Sequence, residues 1–290
     1  MMKHPPVTRD NVIQRSRLMP SFPHVVQEIL ATLDDPDANL NVLVRYINLD
    51  PVIMARVLAV ANSAATHGRR NADVSSIFTA TSLIGLAKVR SIALISSLGS
   101  FIHKSATNPL PISFWEHSVA ISICAQEIAH HVSLPVNADA ALISGMLHDM
   151  GQLWLYALDA DATRACWQKS IDSQQGIEDL EQETFGIDHA TVGAWLAEHW
   201  KMPQPIIEAI QYHHNPNTEM SNPLVPLIHV AEVLGNALDL GHRMQNRVTH
   251  VSSAACETLE LVFDDSILPL FGRIEARSRH ANQFFGLPRP

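Results

Sequence analysis

Cysteine is scarce in this 290-residue chain, and the three cysteines, Cys124, Cys166 and Cys256, lie far apart. An odd number of cysteines at such spacing forms neither a disulfide framework nor a Cys-x-x-Cys metal pair. Unpaired thiols are typical of proteins that stay in a reducing compartment. The sequence therefore predicts a cytoplasmic protein without a disulfide framework.

Charge is also sparse, and basic residues are the minority. Charged side chains make up 17% of the chain, with 20 Lys and Arg against 29 Asp and Glu and a formal net charge of −9. General nucleic-acid binding needs Lys and Arg to displace the counterions of the phosphate backbone, so the acidic balance argues against it. The hydrophobic share of 47% can build a substantial core, which excludes a disordered or fibrous protein.

The chain has no long uninterrupted hydrophobic run. Its longest apolar helical stretch, residues 91–102, contains serines and Gly99 and is too short to span a bilayer. The first ten residues are polar and include two prolines, unlike a signal peptide. We therefore expect no association with a membrane.

Strand patterns are missing as well. In no stretch of five or more residues do β-branched or aromatic residues alternate cleanly with polar ones. Helical spacing dominates, and we predict an all-α protein. The helices predicted in the first part of the chain cover residues 23–33, 40–48, 51–61, 76–84 and 88–101. Asp50 is the expected N-cap of the third helix and Pro51 its first residue, and Asn62 and Ser63 are expected to end it.

A segment without helical spacing divides the chain. Residues 107–113 contain two prolines, so we predict a domain boundary near residue 106. This gives a helical subdomain over residues 1–106 and a second helical domain over residues 107–290. The helices predicted in the second domain cover residues 114–131, 138–147, 160–171, 177–185, 189–200, 205–213, 226–239, 253–261 and 266–285.

Histidine is unusually frequent, with 16 residues against 9 phenylalanines. It is the commonest metal ligand and the usual proton carrier near neutral pH. The most informative histidine is His148, which together with Asp149 ends the apolar run at residues 140–147, and Gly151 is expected to let the backbone leave that helix. An ionised carboxylate there is costly unless a metal cation, an arginine or a capped helix end compensates it.

Further candidate ligands lie on other predicted helices of the second domain: His117, His189, His213, His214 and Glu232, with His229 on the same helix face as Glu232. Helices in a bundle can direct such side chains to one interior point, and imidazoles with carboxylates suit iron, manganese, nickel or zinc. Two adjacent ions would clamp a phosphoryl group. Taken singly, each histidine is better explained as a hydrogen-bonded core or surface residue and Glu232 as the partner of an arginine, so the case rests on the set.

Motifs along the chain also occur in a recognisable order. In the first part they are LMPSFP at residues 18–23, the helix at 50–64 with its DP and NSA sequences, and the segment 80–90 with its Leu-Gly turn. In the second part they are FWEHS at 114–118, the His148–Asp149 doublet, FGIDH at 185–189, WKMP at 200–203 and the His213–His214 pair. Over residues 18–240 this order resembles the HDOD family, an HD-related output domain of bacterial signalling proteins.

The resemblance implies an N-terminal helical subdomain packed on an HD-like helical bundle that binds one or two divalent transition-metal ions. One ion would be held by residues at the positions of the HD signature: His117, His148, Asp149 and Glu232. A second ion, or the phosphate, would be held by the additional histidines: His189, His213 and His214. The implied activity is metal-dependent hydrolysis of a phosphoester, with His148 and Asp149 as the catalytic residues and Asp149 bridging the ions.

Departures from the related HD-GYP enzymes argue against hydrolysis of cyclic di-GMP. Gln152 stands where those enzymes carry lysine, HHNPN at residues 213–217 replaces their Gly–Tyr–Pro segment, and the last metal carboxylate is Glu232 rather than aspartate. The missing lysine and Gly–Tyr–Pro features favour an alternative function. In this alternative the chain is a catalytically inactive signalling or protein-interaction module, and its metal site is structural or regulatory.

The expected partner is a signalling protein or a small phosphorylated ligand, because no receiver-domain pattern of alternating strands and helices precedes residue 18. A third possibility is DNA binding, since residues 76–86 and 87–97 have helix–turn–helix proportions around Gly85. The second segment offers only Lys88 and Arg90 as phosphate contacts, whereas a DNA reader has a basic face. We therefore expect a turn between two core helices and no nucleic-acid partner.

Overall fold

The computed structural model of the chain describes residues 7–16, 22–31, 40–67, 74–105, 112–173, 175–240 and 250–284. Within these ranges all regular structure is helical, which confirms the predicted all-α class. The chain forms two compact units, one of residues Ser21–Phe101 and one that combines Met1–Pro20 with Ile102–Pro290. The boundary predicted near residue 106 lies outside the described residues.

In chain order the α-helices of the described ranges are α1 (Arg9–Ser16), α2 (His24–Ala31), α3 (Leu40–Leu49), α4 (Pro51–His67), α5 (Ile77–Ile84), α6 (Leu86–Ser105), α7 (Ile112–His131), α8 (Ala138–Leu147), α9 (Met150–Leu158), α10 (Ala160–Ser173), α11 (Ile177–Phe185), α12 (His189–His199), α13 (Gln204–Tyr212), α14 (Leu224–Ala237), α15 (Ser253–Thr258) and α16 (Leu268–Phe284). Two short 3-10 helices, Pro216–Thr218 and Asp265–Ile267, precede α14 and α16. Helix α9, whose sequence MGQLWLYAL is almost uniformly apolar, is absent from the prediction.

Side chains fix the helix ends in the smaller unit. Asp50 Oδ1 accepts hydrogen bonds from the backbone N–H groups of Val52 and Ile53 at 2.9 and 3.1 Å, which confirms the predicted cap of α4. Asn62 was expected to end this helix, but α4 continues to His67. The Asn62 amide instead bonds the backbone N–H and C=O of Val74, at 2.8 and 2.9 Å, so it ties α4 to the segment before α5.

The turn between α5 and α6 lies at Gly85, where φ is +86°, a conformation that favours glycine. The two helices bend by 118° there and bury Ile77 and Val89 on either side of the turn. Across the described ranges no single helix is both long and apolar enough to cross a membrane. Only α5 together with the first part of α6 reaches the needed length and hydropathy, and it does so as this bent pair.

In the larger unit, α8, α14 and α16 all pack against α7. Glycine allows α8 to approach α7 closely, since a Cβ on Gly145 of α8 would lie 2.8 Å from the Cα of Ser122 in α7. At α16, the buried carboxylate of Glu127 binds Arg273 and Arg277. The contact between α7 and α8 sets His117, in the second turn of α7, beside the helix that leads to the His–Asp doublet.

Gly151 lies inside α9 rather than ending a helix as predicted. A Cβ at this position would lie 1.9 Å from the carbonyl oxygen of His189 and 2.8 Å from the backbone nitrogen of Gly193, both in α12. Backbone therefore meets backbone where α9 crosses α12. This contact holds Asp149, two residues earlier, close to the start of α12.

Helix α1 belongs to the larger unit although the smaller unit follows it in sequence. It packs against α12, with Val12 fully buried. Arg9 and Glu198 form an ion pair at 2.6 Å between these helices. The larger unit is thus built from two separate stretches of the chain.

We expect Gly151→Ala to lower the free energy of unfolding by about 1–3 kcal/mol, the usual cost of overpacking a close-packed core. Gly272→Ala is the matched control, because Gly272 also lies in a helix but a Cβ there would meet no atom within 4 Å. The control should be neutral or stabilising by up to about 1 kcal/mol, since alanine favours the helix. Urea unfolding followed by circular dichroism measures both, and equal stability of the two variants would contradict the close contact.

Candidate metal centre

The His–Asp doublet occupies the short break between α8 and α9. His148 keeps helical dihedral angles, φ −54° and ψ −39°, whereas Asp149 departs from them at φ −94° and ψ 9°. Both residues are buried, since His148 is 0% exposed and Asp149 is 2% exposed. The break therefore places an imidazole and a carboxylate inside the larger unit without ending the helical path of the chain.

Three imidazole rings converge on the Asp149 carboxylate. Oδ2 lies 3.6 Å from Nε2 of His148 and 3.7 Å from Nε2 of His117, which comes from α7. Oδ1 lies 3.2 Å from Nε2 of His189, the first residue of α12. One carboxylate thus faces side chains from three separate parts of the larger unit.

Backbone carbonyls fix the orientation of two rings. Nδ1 of His148 lies 2.8 Å from the Gly145 carbonyl, and Nδ1 of His213 lies 2.7 Å from the Ile210 carbonyl. A carbonyl oxygen only accepts, so each Nδ1 carries a proton, and in the neutral ring each Nε2 presents a lone pair. In the described part of the chain these two Nε2 atoms are buried and have no hydrogen-bond partner. Buried nitrogens of this kind are costly, and a metal ion would satisfy both.

Glu181 holds the His189 ring from the opposite side. This carboxylate in α11 is fully buried, and its Oε2 accepts hydrogen bonds from both the backbone N–H and Nδ1 of His189, at 2.8 and 2.6 Å. Nε2 of His189 is left facing Asp149 and Nε2 of His214, the latter at 2.9 Å. A carboxylate behind a metal-binding histidine orients the ring and raises its basicity.

The pKa values of three histidine rings in the cluster are shifted in opposite directions, upward for His189 and downward for His213 and His214. Burial acts to lower the pKa of His189, but the carboxylates of Glu181 and Asp149 outweigh it and hold that pKa well above the ordinary value. Burial and the neighbouring His214 keep the pKa of His213 well below its ordinary value. Burial and the neighbouring His189 lower the pKa of His214 to about 3. His213 and His214 are therefore neutral at physiological pH, the form that binds a metal.

The solvent-facing edge of the cluster is formed by His214 and Glu232. Nδ1 of His214 lies 4.0 Å from a carboxylate oxygen of Glu232, and the two side chains are 20% and 18% exposed. His229, on the same helix face as Glu232 in the sequence pattern, has a different role. Its Nδ1 donates to the His213 carbonyl at 2.8 Å and its Nε2 accepts from the backbone N–H of Ser252 at 3.1 Å, so both ring nitrogens are used in structural hydrogen bonds.

The structure brings the seven predicted site residues into one cluster. Their nitrogen and oxygen atoms form three overlapping groups, in each of which the atoms lie within 4.8 Å of one another and could hold a metal ion. These groups are His117 with His148 and Glu232, His148 with Asp149 and His213, and His189 with His213 and His214. The donor set is imidazole and carboxylate, which fits a divalent transition metal.

Glu181 is the site residue that the sequence analysis did not single out. A usable signal exists in α11, where the helical period places Glu181 on the same face as Ile177 and Phe185, four residues to either side. A carboxylate on an apolar helix face, shortly before a candidate histidine, is a recognisable pattern. Its partner could not be chosen without the fold.

Among curated proteins, the chain resembles an uncharacterised protein of Treponema pallidum strain Nichols, with 24% identity over 224 residues. The match covers 76% of this chain but 43% of that protein, so the chain spans less than half the length of this relative.

Solved structures of similar fold extend over nearly the whole chain. An HDOD domain protein of unknown function from Geobacter sulfurreducens aligns with a TM-score of 0.73 at 20% identity, over 95% of this chain and 98% of its own. A protein named putative signal transduction protein from Marinobacter aquaeolei VT8 aligns with a TM-score of 0.70 at 20% identity. This alignment covers 96% of this chain and 62% of that protein. A protein named putative phosphohydrolase from Shewanella amazonensis SB2B aligns with a TM-score of 0.63 at 20% identity. This alignment covers 92% of this chain and 97% of that protein.

At these identities the likeness to solved structures concerns the fold alone. The family assignment rests on the sequence, where the HDOD domain pattern matches residues 19–216, more than half of the chain. That stretch contains every candidate ligand of the centre except Glu232, together with the α3–α6 region of the smaller unit. The chain therefore belongs to the HDOD family.

Proposed function

We propose that this chain is a bacterial HDOD signalling protein whose histidine–aspartate centre binds one or two divalent transition-metal ions and hydrolyses a phosphoester. The observation that carries the proposal is the pair of Nε2 atoms on His148 and His213, buried, oriented by backbone carbonyls and without hydrogen-bond partners among the described residues. Iron, manganese, nickel and zinc are the candidate metals. The name of the Shewanella protein of similar fold supports the same reaction class.

The ligand set divides around Asp149. His117, His148 and Glu232 would hold one ion and His189, His213 and His214 a second ion or the phosphate, with Asp149 between them. A bound divalent ion would supply Lewis-acid polarisation of a phosphoryl oxygen. Glu181 would keep the proton on Nδ1 of His189 and leave Nε2 free to bind. His214 and Glu232 line the edge by which a phosphoester would enter.

A second candidate function is a signalling or protein-interaction module in which the metal is structural or regulatory. Burial favours it, since His148, His189 and His213 are all 0% exposed and Asp149 is 2% exposed. Such a centre is well shielded from a bulky substrate. The two candidate functions share the metal site and differ only in whether the protein hydrolyses a phosphoester. Measuring metal content and hydrolysis independently therefore distinguishes them.

We expect purified protein, or protein reconstituted with Fe²⁺, Mn²⁺, Ni²⁺ or Zn²⁺, to contain one or two equivalents of metal by plasma mass spectrometry. Asp149→Asn combined with His148→Ala should abolish retention, because it removes the carboxylate and an oriented Nε2. His199→Ala is the matched control, since this exposed histidine ends the helix that His189 begins. Equal metal content in all three proteins would refute the centre.

We expect the metal-loaded protein to hydrolyse a phosphomonoester or phosphodiester reporter such as a nitrophenyl phosphate. Turnover should fall by about 100-fold or more in Asp149→Asn, the scale at which a group that acts on the reacting centre contributes, and stay unchanged in His199→Ala. Stoichiometric metal without turnover on a broad phosphoester panel would instead favour the structural or regulatory centre.

Glu181→Gln should weaken metal binding by roughly 10- to 100-fold, the usual effect of losing the partner behind a histidine ligand. Glu183→Gln is the control, because Glu183 lies two residues further along α11 and binds Lys169 and Gln175 at the surface. Competition with a chromophoric chelator measures both affinities.

The metal affinity measured by this chelator competition should depend on pH above 7. The raised pKa of His189 means that a proton competes with the metal for this ring, so metal affinity should rise as the pH is raised above neutrality, by up to about tenfold per unit. Glu181→Gln removes the strongest influence that raises this pKa and should flatten the curve. A wild-type affinity that is constant over this range would contradict the role of Glu181.

A further inference from the structure

Gln152 is a buried amide in the first turn of α9, next to the metal centre. Its Nε2 donates a hydrogen bond to Asp149 Oδ1 at 3.1 Å. Its Oε1 accepts a hydrogen bond from the indole N–H of Trp167 in α10, at 3.2 Å. Because an indole N–H can only donate, this contact fixes which end of the amide faces Asp149. The amide therefore presents its NH₂ group, and not its oxygen, to the carboxylate.

Trp167 is itself firmly held. Its ring stacks on Tyr156 of α9, with centroids 5.6 Å apart and planes inclined by 11°. The Tyr156 hydroxyl in turn lies 2.6 Å from Nη1 of Arg164, which donates to it from α10. The stacked ring of Tyr156 and the packing of α9 on α10 thus hold the indole N–H, whereas the Tyr156 hydroxyl is bound by Arg164.

The hydrogen bond from Gln152 has a geometric consequence for Asp149. The terminal torsion of an aspartate is soft, so an unrestrained carboxylate rotates readily about its last bond. Here the two oxygens have separate tasks, since Oδ2 faces His117 and His148 while Oδ1 faces His189. A donor fixed on Oδ1 holds the carboxylate plane in the orientation that serves both sides.

We propose that Gln152 and Trp167 are positioning residues of the candidate metal centre, which hold the Asp149 carboxylate with Oδ1 towards His189 and Oδ2 towards His117 and His148 and thereby raise the affinity for metal. The inference rests on the proposed metal-binding function and adds to it two residues that offer no ligand atom. Trp167 acts only through Gln152, so their contributions to affinity are coupled.

The test measures Zn²⁺ affinity of the full chain by competition with a chromophoric chelator. Gln152→Met keeps the side-chain length but has no N–H group to donate to Asp149, and should weaken binding roughly 10- to 100-fold, as the loss of outer partners of metal ligands does. Trp167→Phe keeps a ring against Tyr156 without the N–H and should weaken binding by a smaller factor. In the Gln152→Met background, Trp167→Phe should cause no further loss, because the interaction it supports is already gone.

Tyr156→Phe is the matched control, since it removes the hydroxyl that Arg164 binds but keeps the ring beneath Trp167. Its Zn²⁺ affinity should equal that of the wild type. Gln152→Ala serves as a second variant with a smaller side chain and should show the same loss as Gln152→Met. Urea unfolding of each metal-free variant establishes that affinities are compared between folded proteins.

Two results would overturn the inference while leaving the proposed function intact. One is wild-type affinity in both Gln152 variants, and the other is an equal loss from Trp167→Phe with and without Gln152. Failure of the wild type itself to bind Zn²⁺ or any of the other three metals would overturn the proposed function and this inference together.

Discussion

The candidate metal centre depends on a carboxylate that is almost completely removed from water. Asp149 is 2% exposed, and the free energy cost of desolvating an ionised carboxylate is large unless positive charge or hydrogen bonds compensate it. The groups that face its two oxygens are imidazoles and an amide. Oriented lone pairs on His148 and His213 complete an environment that is suited to a cation. Burial, tautomer and charge at this point all favour the same kind of occupant.

Close backbone contact makes this arrangement possible. The candidate centre draws its side chains from α7, from the break between α8 and α9, from the start of α12, from the end of α13 and from α14. Side chains of moderate length reach a common point only if these helices approach closely. Gly145 allows α8 to lie against α7, and Gly151 allows α9 to lie against the first turn of α12. The glycines near the doublet thus contribute to the site through packing and not through turns.

The sequence identified the all-α class and the seven clustered side chains, because helical periodicity is a local property and the ligands lie in recognisable motifs. It did not identify Glu181 or Trp167, whose roles depend on which helix lies opposite. Gly151 was misinterpreted for the same reason, since a close approach and a helix end are both compatible with glycine. Asn62 likewise resembled a helix terminus, although its amide is satisfied by Val74, twelve residues later. Helix α9 was not predicted; its residues from Met150 to Tyr156 are buried, and its sequence is almost uniformly apolar.

The position of α1 has a consequence for how the protein is made. Its partner α12 follows only after the whole smaller unit and α7 to α11 have been synthesised. During translation the smaller unit, which is continuous in sequence, emerges complete while α1 still lacks its binding surface. The side chains of His189, His213 and Glu232 are synthesised after the smaller unit as well. Assembly of the candidate centre therefore follows the synthesis of the smaller unit, which has had time to fold.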